Sequence, residues 1–235
     1  MKNQNIFHGF QKETINFFRE LKKNNSKSWF EANRHIYDNN VLQPAQAFII
    51  DMGKQLEKII PDIVAIPKVD QSIFRIYRDI RFSPNKIPYK THLGIFFWEG
   101  PRKKLDNPGF YLQIDDKNLL IGVGMYEFSK PLLDEYRNSV VHPKYRKELV
   151  HIIDRVSKNP ENILGRKFFK KTPRGFDADY PYADLLLYKG MGFNFESSIP
   201  KEIFSSSFID YVYKKFEEMS PIHFWLREMT KRVDL

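Results

Sequence analysis

The chain has 235 residues, 42% of them apolar, with 21 Phe and 12 Tyr; this is enough apolar volume for a sizeable core and excludes a disordered chain. It contains no cysteine, which excludes disulfides, thiolate metal sites and cysteine nucleophiles, and its net charge of +9 raises the question of a polyanionic partner. Met1 to His8 lack the continuous apolar run of a signal peptide, and no uncharged stretch approaches the roughly 18 residues of a spanning helix, so a cytoplasmic protein without a membrane partner is expected.

The first 60 or so residues read as helical. Phe10, Phe17, Phe18 and Leu21 recur at helical spacing before a stop at Asn24-Asn25, and Ser26 is placed to cap a second helix carrying Trp29, Phe30, Ile36 and Tyr37. A third helix is expected from Pro44 through Phe48, Met52 and Leu56 to the stop at Pro61. From about residue 72 β-branched and aromatic residues predict strands at Ile73 to Tyr77, Leu93 to Trp98, Gly109 to Ile114 and Leu119 to Tyr126, with Asp115 to Asn118 turning the last two into a hairpin. Helices return after Ser129 and after Pro143, a capped helix is expected from Asp179 to Tyr188, and two more close the chain, one through Phe208 and Phe216 and one starting at Ser220-Pro221. Helices, then a meander of strands, then helices describe an α+β fold: an antiparallel sheet from the middle of the chain packed by N-terminal and C-terminal helices, in a single domain over residues 1–235.

The positive charge is concentrated. Residues 71–104 hold eight basic residues against two acids, and residues 164–175 hold five against none, so the rest of the chain is slightly acidic. Within the first region, FRIYRDIRFSPNKIPYK (residues 74–90) places Arg75, Arg78 and Arg81 ahead of a Ser83-Pro84-Asn85 turn, then Lys86, Tyr89 and Lys90. A guanidinium presents a planar fork of donors that fits carboxylate or phosphate, so the cluster is a candidate anion site with Tyr77 or Tyr89 lining it. Structural ion pairing of Arg75 or Arg78 with Asp79, Asp70 or an acid from a distant helix is the competing account. In the second region, Lys171 and Arg174 beside Pro173 and Gly175 are further candidate ligand contacts, against the alternative of a solvated basic strand.

These residues carry a resemblance. Arg75, Arg78, Asp79, Arg81, Phe82, Asn85, Lys86 and Tyr89 match the signature of Domain of Unknown Function 2461, and the similarity extends over the opening helix, the NNSKSWFEANR stretch, GFYLQI and KKTPRGFDADYPYADLLLYKG. The resemblance implies a bacterial conserved hypothetical protein of about this size, with no established activity.

Phosphate-loop, dinucleotide, zinc-protease and hydrolase-elbow motifs are absent, the six histidines show no ligand spacing, and neither a metal nor a cofactor is indicated. Asp79, His92 and Tyr89 are the candidate proton-handling groups, with Asp79 the better arginine orienter. The leading expectation is a phosphorylated or carboxylated small molecule held by Arg75, Arg78, Arg81, Lys86, Tyr89 and Lys90, with enzymatic chemistry left open. The alternative is a nucleic-acid-binding module that uses both basic segments, 71–104 and 164–175.

Overall fold

The computed structural model of the chain describes residues 6–233; residues 1–5, on which part of the leader reading falls, lie outside the described residues. The architecture is α+β. Five antiparallel strands, β1 (Leu93–Trp98), β2 (Gly109–Ile114), β3 (Asn118–Met125), β4 (Ile163–Leu164) and β5 (Met191–Ser198), form one sheet in the order β1-β2-β3-β5-β4. The hairpin between β2 and β3 turns where expected, because the Asp115 carboxylate accepts from the backbone of both Lys117 and Asn118 at 2.7 Å.

The helices are α1 (Lys12–Lys23), α2 (Lys27–Ala32), the short α3 (Arg34–Ile36), α4 (Gln43–Leu56), α5 (Lys130–Val141), α6 (Pro143–Val156) and α7 (Phe208–Thr230). Ser26 caps α2 as anticipated, its hydroxyl accepting from Trp29 N at 3.3 Å. The second predicted helix, however, is not one element. After α3 the backbone widens into a π-helical turn, Tyr37–Leu42, where the Thr14 hydroxyl donates to the Asn40 carbonyl at 2.5 Å and offers that oxygen a partner outside the helix.

Packing divides the described chain into two compact units. One gathers the described residues of Met1–Phe97 with Tyr111–Ile121 and Glu196–Lys214; the other gathers Trp98–Phe110, Gly122–Phe195 and the described residues of Lys215–Leu235. The core of the first is aromatic: Phe7, Phe10, Phe48 and Phe208 stack edge-on or tilted with ring centres 5.3 to 6.5 Å apart. In the second, Tyr136 is fully buried, its ring against Phe128 and Trp225 and its hydroxyl donating to the Leu185 carbonyl at 2.9 Å.

Three expectations are corrected. Ile73 to Tyr77 is not a regular strand; it meets β1 through an isolated Ile73–Ile95 bridge and the bond from Phe74 N to Gly94 O at 3.0 Å, while Tyr77 bridges to Tyr89, outside the sheet. The helix expected over Asp179 to Tyr188 is a short 3₁₀ turn, Ala183–Leu187, preceded by turns. The two C-terminal helices are one, α7, which runs through Pro221. Proline lacks the N–H that would bond to the Glu217 carbonyl, and the Ser220 hydroxyl donates to that same oxygen at 2.9 Å, so the helix passes the proline with the acceptor satisfied.

Candidate anion-binding site

Residues 74–90 form an irregular hairpin in the first unit. Arg78 N donates to Pro88 O and Lys90 N to Ile76 O, both at 2.8 Å, on either side of the Tyr77–Tyr89 bridge. The tip is shaped by side chains. Asn85 Oδ1 accepts from Ile87 N at 3.0 Å, Lys86 Nζ donates to Ile80 O at 2.9 Å, and Arg78 Nη1 donates to Ile87 O at 3.1 Å. Two of the predicted ligand cations, Arg78 and Lys86, therefore spend a donor on the hairpin's own carbonyls.

The hairpin is anchored by Tyr89. Its ring is buried and stacks on Phe30 at 4.4 Å between centres, with Tyr77 at 5.2 Å, while Asn25 brackets its backbone, accepting from Tyr89 N and donating to Tyr89 O at 3.0 Å each. Burial raises the Tyr89 phenol, with Tyr77 adding to the effect, so it stays neutral near physiological pH. Tyr37, whose ring centre lies 5.5 Å from that of Phe30, is pushed up to about 12 by burial and by Asp38. Asn25 and Tyr37 are supports that sequence reasoning treated as a helix stop and a core residue; no local pattern links Asn25 to a tyrosine 64 positions away.

Asp79 pairs with Arg81 on both edges, Nε to Oδ1 at 3.0 Å and Nη2 to Oδ2 at 2.7 Å, and also accepts from Arg81 N at 3.2 Å. These bonds pull the carboxyl down to about 2. A carboxylate that weakly basic is a poor proton acceptor at neutral pH.

The remaining cations gather at the base of the hairpin. Lys90 is half-buried, with its ammonium over the Phe74 ring at 5.4 Å; burial and the neighbouring Arg75 lower its pKa, against an opposing pull from Asp70. His92 is lowered in turn by burial and by Lys90, against Asp115, which keeps the imidazole neutral. Arg75, Lys90 and His92 are thus near neighbours in the field each feels, beside Phe74 and Tyr111, whose rings lie 6.0 Å apart. Neither Arg75 nor Lys90 has a carboxylate within ion-pair distance among the described residues.

Lys171 and Arg174 belong to the other unit. Arg102, counted with the first basic region, is also in that unit and is engaged internally, donating to the carbonyl of Thr230, the last residue of α7, at 3.0 Å and to that of Val233 just beyond it. Among the described residues no group of three or more His, Asp or Glu is placed to hold a metal, and no helix is long and apolar enough to cross a membrane.

The sequence profile of one family, described as a conserved hypothetical protein (Domain of Unknown Function 2461), matches residues 13–225. No curated protein matches the chain.

Proposed function

The chain belongs to the conserved hypothetical protein family Domain of Unknown Function 2461, which carries no established activity, and we propose that its motif hairpin binds a phosphorylated or carboxylated small molecule. The observation that supports this most is the uncompensated pair at the hairpin's base. Asp79, the one acid of the segment, is taken by Arg81, while Lys90 is half-buried near Arg75 without an ion-pair partner among the described residues, its pKa lowered first by burial and then by Arg75, against a pull from Asp70. An anion accepting from both would relieve that repulsion, and charge-assisted bonds of this kind contribute about 1.5 to 3 kcal/mol each. Phe74 and Tyr111 give the ligand's body an aromatic wall, and the neutral His92 is the nearest group able to exchange a proton with it. Arg78, Arg81 and Lys86 shape the hairpin and contribute spare donors at its rim. The cysteine-free composition fits a reducing compartment such as the cytoplasm.

The test is thermal denaturation with inorganic phosphate, pyrophosphate and citrate against chloride at matched ionic strength. A ligand at about a hundred times its Kd should stabilise the fold by about 2.7 kcal/mol, and Arg75→Ala or Lys90→Met should abolish the shift. If none of the three anions raises Tm above the chloride control, the reading fails.

A further inference from the structure

The second basic segment lies in the other unit and has its own geometry. Between Leu164, the last residue of β4, and Ala183 the chain has no regular helix or strand, a length of irregular chain that is more often functional than incidental. It is tied down at few points: Gly165 N donates to Gly192 O at 2.9 Å, and Phe168 N and Phe169 N share the Leu187 carbonyl at 2.8 and 2.9 Å. Of its five cations only Lys167 has an ion-pair partner among the described residues, Asp184 at 2.7 Å, which leaves Arg166, Lys170, Lys171 and Arg174 exposed and uncompensated. Phe168 is 61% exposed, with Lys189 4.6 Å over its ring.

Two of these cations line one surface. Lys170, Lys171 and Thr172 rim an open groove of about 520 Å³ whose floor is Ala178, Ala183 and Leu187, and whose Asp184 is the residue already neutralised by Lys167. Phe168, two residues before Lys170, is tied to the groove's Leu187 by its backbone N–H, and its exposed ring is not part of the lining. The loop acid Asp177 lines a different hollow, of about 410 Å³, with Asn138 and Tyr180. A shallow groove edged by unpaired cations, with an unburied ring beside it, suits a flexible polyanion that carries flat apolar faces. Its cations can follow a phosphodiester backbone while the ring stacks on a base.

We propose that the segment 164–175, with Phe168 as its stacking platform, is a docking surface for single-stranded nucleic acid. An acidic peptide would satisfy the charges but leave Phe168 unused. A duplex would keep its bases out of the ring's reach. The site is independent of the hairpin reading, since the two use different residues.

The experiment is fluorescence anisotropy of the full chain with labelled 20-nucleotide oligo(U) and oligo(dT), titrated at several salt concentrations, with polyglutamate as competitor. Binding should weaken steeply with salt, and the double variant Lys170→Ala/Lys171→Ala should reduce the slope of log K against log salt by about 1.4, from about 0.7 per phosphate contact on a single strand. Phe168→Ala should weaken binding about tenfold without changing that slope, the value of one lost stacking contact. Both are exposed positions, and circular dichroism of each variant checks that the fold is intact. The proposal is overturned if neither strand binds at low salt, if Phe168→Ala binds as tightly as the parent, if polyglutamate competes equally per charge, or if hairpin substitutions abolish binding while those in 164–175 do not.

Discussion

The fully buried His223 offers the sharpest test of how the second unit is held. Its Nε2 lies 2.8 Å from Glu99 Oε2, its Nδ1 is buried without a partner, and Phe110 packs on the ring at 4.7 Å between centres. The other Glu99 oxygen accepts from Arg227 at 3.1 Å. Glu99→Leu would strand the imidazole with no hydrogen bond at either nitrogen, costing about 1 to 3 kcal/mol, and would remove a charge-assisted bond to Arg227. Arg227 keeps Glu228 at 3.2 Å and is about a third exposed, so its share is discounted, and the total comes to about 3 kcal/mol. His223→Leu alone should cost about 2 kcal/mol, because Glu99 retains Arg227. In the double variant neither orphan remains, so its loss should fall well short of the sum. Urea unfolding of the four proteins measures the cycle; additivity within about 0.5 kcal/mol would refute the coupling.

The pH dependence follows from the same contact. Burial lowers the His223 pKa from 6.5 in spite of Glu99, so the unfolded chain binds a proton before the folded one does. Stability from this group is complete above pH 6.5 and declines as pH falls below it, and Glu99, lowered from 4.5 by its bonds to His223 and Arg227 against the effect of burial, adds a second loss below 4.5. His223→Leu should flatten the first decline and shrink the second, because the His223 bond is the leading cause that lowers Glu99.

Three further outcomes are expected. Asn25→Ala should cost about 2 to 4 kcal/mol in urea unfolding, because both backbone groups of Tyr89 lose their partner where water is largely excluded. Asp79→Asn, which frees Arg81 at a fully exposed position, should leave Tm nearly unchanged and tighten phosphate binding measured by calorimetry; weaker binding would mean that Arg81 acts only when oriented. Gly124→Ala should prevent accumulation of folded protein on expression, since Gly124 has φ +138° and a Cβ there would collide with the Met191 carbonyl of the neighbouring strand.

Much of the fold was legible because its signals are local. The β2–β3 hairpin needed only an Asp at the turn, and α1, α2, α5 and α6 needed only apolar spacing and a Ser, Pro or Asn at an end. β5 went unread because the alternation of Met191, Phe193 and Phe195 is short and the glycine, asparagine, glutamate and serines between and after them carry little strand propensity; what makes it a strand is pairing with β3 and β4. α7 was split because a proline inside a helix is rare, and the rescue by Ser220 is invisible in a one-residue signal. At the candidate site, the charge cluster and the role of Asp79 as an arginine's partner could be read in advance, but the sequence pointed to Arg75 or Arg78, and the structure pairs Asp79 with Arg81. The selection of Arg75 and Lys90 from among the cations could not, since it depends on which carbonyls Arg78 and Lys86 find once the hairpin closes.

The placement of β5 bears on how this chain reaches its native state. β2 and β3 are joined by a three-residue turn and can pair as soon as they are synthesised, whereas β5, next to β3 in the sheet, begins 65 residues after β3 ends. Closing that loop must be offset before the sheet gains a bond, so the step belongs to the slow, non-local class of folding events. Until it occurs, the edge of β3 and its two glycines stand open to pairing with another chain, and the interval before β5 docks is when the protein is most prone to aggregate.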